Sequence, residues 1–218
     1  CNTCHDAATL AAKAMALWPE DAEFRTQYAK SLLAAGALIE AEVAAREALL
    51  LEPESEDLWI VLADALIRRD RQQESLDVLA EACRIRPDSL ALQGRLGRQA
   101  QRMGEYQQAI NAFTAASELE PAKEIWHLQI LSALSAARRY TQAIKFAHEA
   151  SLTFPESVTI QCRFAAWLRY DKRLVEAEQV ARRALEIDPR ASEAHATLFG
   201  ILVAQRRNGE GLQMLQAA

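Results

Sequence analysis

The chain has 218 residues, is half hydrophobic with few aromatics, and carries a formal net charge of −5. That sign argues against general nucleic-acid affinity, which needs a basic footprint. No uninterrupted apolar run approaches the length of a membrane span, and no Pro/Gly/Ser-rich or low-complexity tract divides the chain.

All six prolines lie 34 residues apart: Pro19, Pro53, Pro87, Pro121, Pro155 and Pro189. A fixed period of this size marks an array of identical supersecondary units. With each proline at position 32, the units run in order: a partial unit 1–21, full units 22–55, 56–89, 90–123, 124–157 and 158–191, and a partial or capping unit 192–218. Positions 4, 7, 8 and 11 fall on one stripe of a 3.6-period helix, and 17, 20, 24 and 27 on a second. Each unit is therefore expected to be two helices, and the proline stops the second one. Val and Ile never alternate over a useful length, so no strand competes. The whole chain is expected to form one all-α solenoid, 1–218, because each unit contacts only its neighbours. Since it opens inside a unit, it reads as a fragment of a longer protein.

Small residues line up in columns. Position 8 holds Ala29, Ala63, Gly97 and Ala165; position 20 holds Ala7, Ala41, Ser75, Ala109, Ala143, Ala177 and Gly211; position 27 holds Ala14, Ala48, Ala82, Ala116, Ala150, Ala184 and Ala218. Large apolar residues fill position 7 (Tyr28, Leu62, Leu96, Ile130, Phe164, Leu198). Small facing large lets antiparallel helices approach and interdigitate. Leu131 and Phe199 break the small column at position 8, where the helices are expected to spread or re-register. Position 15 carries Gly36 and Gly104, the residue suited to a left-handed helix end, but also Asp70, Arg138, Lys172 and Arg206.

These units resemble tetratricopeptide repeats, the 34-residue helix-turn-helix module. Residues 58–87 and 92–121 carry its pattern closely, with Trp59, Leu96-Gly97, Gly104-Glu105-Tyr106, Ala109, Phe113, Ala116 and Pro121. The resemblance implies a right-handed superhelix with the first helix of each unit on the concave side, partner binding, and no intrinsic catalysis. A chaperone-type carboxylate clamp is disfavoured: the matching positions hold Thr26, Lys30, Val61, Ala91 and Arg95, and only Arg95 fits.

In chain order, the first candidate site is the opening CNTCH. Cys1, Cys4 and His5 match a c-type haem attachment pattern. The repeat register explains the same residues without haem: Asn2 at the turn, Thr3 as N-cap, Cys4 packed inward. The preferred reading is therefore no cofactor. Alternatives are a solenoid appended to a c-type cytochrome or enzyme, or a lipoprotein scaffold for bacterial envelope or exopolysaccharide assembly with Cys1 lipidated. Cys83 and Cys162 sit at different repeat positions and are not expected to pair. His127 and His195 share position 4, which favours packing over catalysis. No catalytic constellation emerges.

If the first helices line a concave face, positions 2, 5, 6, 9, 12 and 13 meet the partner. The second full unit offers Ile60 and Asp64; the third offers Gly94 with Arg95, Arg98 and Arg102 on one helical stripe; the fourth offers Leu128; the fifth offers Arg163 and Arg169. Arginine suits bidentate carboxylate recognition, and Gly94 is expected to leave room for a ligand side chain. The expected function is a non-catalytic scaffold or adaptor. It would bind a protein or peptide partner, acidic with an apolar anchor, in the cytoplasm or periplasm of a bacterium, with self-association open.

Overall fold

The computed structural model describes residues 9, 10, 13 and 21–217. The partial first unit, with Cys1, Cys4, His5 and Pro19, lies outside them apart from residues 9, 10, 13 and 21. Twelve α-helices follow: α1 Ala22–Ala35, α2 Leu38–Leu49, α3 Glu56–Arg68, α4 Gln72–Ile85, α5 Leu90–Met103, α6 Tyr106–Leu119, α7 Glu124–Ala136, α8 Tyr140–Thr153, α9 Val158–Tyr170, α10 Leu174–Ile187, α11 Ser192–Ala204 and α12 Asn208–Ala217. The fold is all-α, two helices per 34 residues, as the register predicts, and the described residues contain no strand. Two compact units divide the chain, Cys1–Leu119 with α1–α6 and Glu120–Ala218 with α7–α12. In each, consecutive helices pack on one another.

Every described intra-repeat turn is built alike. Position 15 has positive φ in all six repeats: 83° at Gly36, 61° at Asp70, 80° at Gly104, 57° at Arg138, 65° at Lys172 and 64° at Arg206. The next residue donates its backbone N–H five residues back, as Ala37 to the Leu32 carbonyl at 3.0 Å and Arg173 to the Leu168 carbonyl at 3.0 Å. This is the Schellman closure, which satisfies orphan carbonyls at the helix end. The turn geometry is thus imposed even where the residue is not glycine, at a local conformational cost.

The junction between repeats also reuses its contacts, though not in every repeat. Asp21, Ser89 and Ser157, all at position 34, cap the following helix through their side-chain oxygens. Position 4 then reaches back to the proline. Trp59 Nε1 donates to the Pro53 carbonyl at 2.7 Å, Gln93 Nε2 to that of Pro87 at 3.2 Å, and Gln161 Nε2 to that of Pro155 at 3.3 Å. His195 Nε2 makes the same contact with Pro189 at 2.8 Å. What this column shares is a hydrogen-bond donor, which is why Trp, Gln and His exchange there.

The small columns form the core. Ala109, Ala143, Ala177, Ala82 and Ala184 have no exposed surface. At Gly97, an added Cβ would lie 2.5 Å from the Phe113 ring, so the glycine makes room for the largest fully buried side chain. The exception at Phe199 is met by the reverse exchange: an added Cβ at Gly211 would lie 2.9 Å from the Phe199 ring. Leu131 packs in a cluster with Ala147, Phe164 and Leu168. At both irregular repeats a small residue on the partner helix takes up the volume.

Candidate functional site

In the first unit, the expected concave residues partly neutralise one another. Arg95 Nη1 lies 2.6 Å from Asp64 Oδ1, pairing positions 6 and 9 of adjacent repeats. Lys30 Nζ lies 2.6 Å from Asp57 Oδ2, and Arg68 Nη1 donates to the Leu33 carbonyl at 2.5 Å. Ile60 is half-buried. Gly94 is buried. Arg98 and Arg102 are exposed and have no ionic partner among the described residues. Burial, then the charges of Arg95 and Arg102, push the Arg98 guanidinium below its ordinary pKa.

The second unit contains a larger opening, a groove of about 1090 Å³. Helix α7 contributes Leu128, Leu131, Ser132, Ser135 and Ala136, and α9 contributes Arg163, Ala166, Trp167, Arg169 and Tyr170. Lys172, Leu174 and Ala204 complete it. The groove is open because positions 9, 12 and 13 of α7 are serine, serine and alanine, too short to fill the space between first helices. Three of the expected residues, Leu128, Arg163 and Arg169, therefore share one site.

Backbone geometry places two of the three cations of this groove. Lys172 sits on the positive-φ turn residue at the groove edge. Arg169 lies against α11, donating to the Gly200 carbonyl at 3.4 Å; an added Cβ at Gly200 would be 2.9 Å from its Nη1. Glycine at that position is what lets the guanidinium approach the helix. Arg163 meets Glu193 only at 4.0 Å, a weak exposed pair. No carboxylate lines the groove.

Aromatic rings flank these charges. Tyr140 and Tyr170 have centroids 4.7 Å apart, Tyr140 and Trp167 5.9 Å, and Trp167 and Tyr170 6.0 Å. Tyr170 is 55% exposed, so its ring offers apolar surface with a polar tip. Ser132, Ser135, Trp167 and Lys172 were not among the sequence candidates. Ser132 and Ser135 occupy positions already assigned to the concave face, but small side chains there give no chemical signal. Trp167 and Lys172 lie outside that position set.

Cys83 and Cys162 are free and buried; burial pushes their thiols up to about 12 and about 11. His127 packs against Phe146 and Phe154, and burial lowers its pKa. Among the described residues, no group of His, Cys, Asp or Glu could hold a metal ion, and no helix is long and apolar enough to cross a membrane.

The sequence reading missed one recurring device. Glu42 and Glu178 both occupy position 21, with Arg46 and Arg182 one turn later. Glu178 accepts from Arg182 Nη2 at 2.7 Å and, from the next repeat, Gln205 Nε2 at 2.9 Å and Arg207 Nη1 at 2.5 Å. Glu42 accepts from Arg46 Nε at 3.0 Å, from Arg71 Nη1 at 2.6 Å and from Arg69. Burial acts to raise both carboxyls. Hydrogen bonds and charge from the surrounding arginines outweigh it, holding Glu42 low and bringing Glu178 down to about 2. Leu76, Ile110 and Ile144 fill this position in the other full repeats. The clamp is an ionic alternative to an apolar inter-repeat contact.

No family model matches the sequence, and no curated protein matches it. Solved structures do. YrrB, described as a TPR protein with an unusual peptide-binding site, aligns with a TM-score of 0.63 at 19% identity, over 86% of this chain and 97% of that one. MamA (residues 41 to the end) from Desulfovibrio magneticus RS-1 aligns with a TM-score of 0.58 at 18% identity, over 73% of this chain and 90% of that one. A structure of Naa15/Naa10 bound to HypK-THB aligns with a TM-score of 0.66 at 18% identity, over 95% of this chain but 32% of that one. Helix pairs on a strict 34-residue period, a Schellman turn in every described repeat and these likenesses together make this the tetratricopeptide-repeat fold.

Proposed function

We propose that this chain is a non-catalytic protein-interaction module whose second-unit groove binds an extended segment of a partner protein. That segment carries acidic residues beside an apolar or aromatic anchor. One observation carries the reading: a groove of about 1090 Å³ is lined by Arg163, Arg169 and Lys172 with no carboxylate, beside exposed aromatic surface at Tyr170. In a protein of net charge −5, that local balance is reversed. Acidic side chains would meet the three cations, which steer association and are screened by salt. The anchor would lie on Trp167 and Tyr170 over the short side chains of α7, where desolvation sets the dissociation rate. YrrB, with its described peptide-binding site, is a precedent in the same fold.

Selection of a random peptide library on the protein tests this. The expected result is enrichment of sequences with Asp or Glu next to an aromatic or aliphatic residue. Their binding should weaken with salt and be lost in the Arg163→Glu/Lys172→Glu variant, whose changes are both at exposed positions. No enrichment, or equal binding by the variant, would refute the reading.

A further inference from the structure

The first unit has a second unused cationic site, independent of the second-unit groove. Arg95, Arg98 and Arg102 fall at i, i+3 and i+7 on α5, so their side chains share one face. Asp64 neutralises only Arg95, at 2.6 Å. Arg98, Gln101 and Arg102 line an opening of about 360 Å³. Elsewhere in the described chain, adjacent guanidiniums are held by acids: Arg69 and Arg71 on Glu42, Arg182 and Arg207 on Glu178. Those two clamps show what such a pair does when an anion is within reach. At Arg98 and Arg102, no carboxylate among the described residues forms an ion pair.

We infer that Arg98 and Arg102 form a recognition site for a phosphomonoester dianion carried on a partner's side chain. The choice follows from charge and geometry. Three guanidiniums less one carboxylate leave about two positive charges, matching the roughly −1.5 to −2 of a phosphorylated residue near neutral pH. A single carboxylate would leave one cation uncompensated. Two guanidinium forks one turn apart can each donate to separate oxygens of one phosphate, and charge-assisted bonds of this kind are about twice as strong as neutral ones.

The test is NMR of the side-chain Nε–H signals of Arg98 and Arg102 in the full chain. It titrates in a blocked pentapeptide with one phosphoserine, the same peptide with glutamate in its place, and inorganic phosphate. The phosphopeptide should move both signals saturably, with a Kd about tenfold below that of the glutamate peptide. R98Q/R102Q should abolish the binding. D64N, which releases Arg95 from its ion pair, should tighten it several-fold. A phosphopeptide that binds more tightly than inorganic phosphate supports a protein-borne ligand. Inorganic phosphate binding as well as the phosphopeptide would overturn the partner side chain as its source. Equal affinity for the glutamate peptide, or no saturable shift at either arginine, would overturn the site itself.

Discussion

Gly97 offers a test in which two well-characterised effects have opposite signs. It lies inside α5, where replacing glycine by alanine ordinarily gains about 1 kcal/mol from helix propensity. At this position an added Cβ would lie 2.5 Å from Phe113 Cε1, 2.6 Å from Cδ1 and 2.8 Å from Cζ. The ring is fully buried and cannot swing away. Overpacking of this kind costs about 1–3 kcal/mol, so Gly97→Ala should be neutral to destabilising by about 2 kcal/mol. Phe113→Leu alone should cost about 1–2 kcal/mol by opening a cavity. The double variant recreates the pair used one repeat earlier, Ala63 opposite Leu79, both buried. With the clash gone the propensity gain returns, so the double variant should be more stable than Phe113→Leu. The two substitutions should then couple by about 1–3 kcal/mol. Urea denaturation followed by circular dichroism measures all four corners of the cycle. A higher midpoint for Gly97→Ala, or strict additivity, would mean that α5 and α6 do not pack at this separation.

Arg138 holds a left-handed conformation with φ 57°, so Arg138→Gly should stabilise by about 1 kcal/mol. Gly104→Ala should cost a similar amount through the backbone alone, because nothing lies within 4 Å of the added Cβ; equal urea midpoints for either variant and wild type would count against a strained turn. Ala143→Leu should overpack the helix pair at a site with no exposed surface and cost about 1–3 kcal/mol, and an unchanged midpoint would defeat the alignment of that repeat. Glu178→Gln should cost about 1–3 kcal/mol at neutral pH by leaving Arg182 and Arg207 without their shared carboxylate. Because its folded pKa is depressed to about 2, the Glu178 contribution is present above its ordinary pKa of 4.5 and is lost as pH falls towards 2. Wild type should therefore lose more stability than Glu178→Gln between those pH values, and parallel acid-denaturation curves would refute the clamp.

The sequence by itself determined the repeat length, the helix pairing and the small columns. Each is a periodic property: Pro at 32 and small residues at 20 and 27 repeat because the same local contacts repeat. Position 15 was legible at Gly36 and Gly104, yet the structure imposes the same conformation on Asp70, Arg138, Lys172 and Arg206. There the Schellman hydrogen bonds and the packing of two helices outweigh the residue's own preference. What only the tertiary structure decided is which arginines are free. Arg95, Arg98 and Arg102 look alike on a helical wheel, and it takes Asp64, one repeat away, to pair with the first and leave the other two. The groove was hidden for a related reason. Its volume comes from what Ser132, Ser135 and Ala136 do not fill, and an unfilled space between helices has no signature in any one of them.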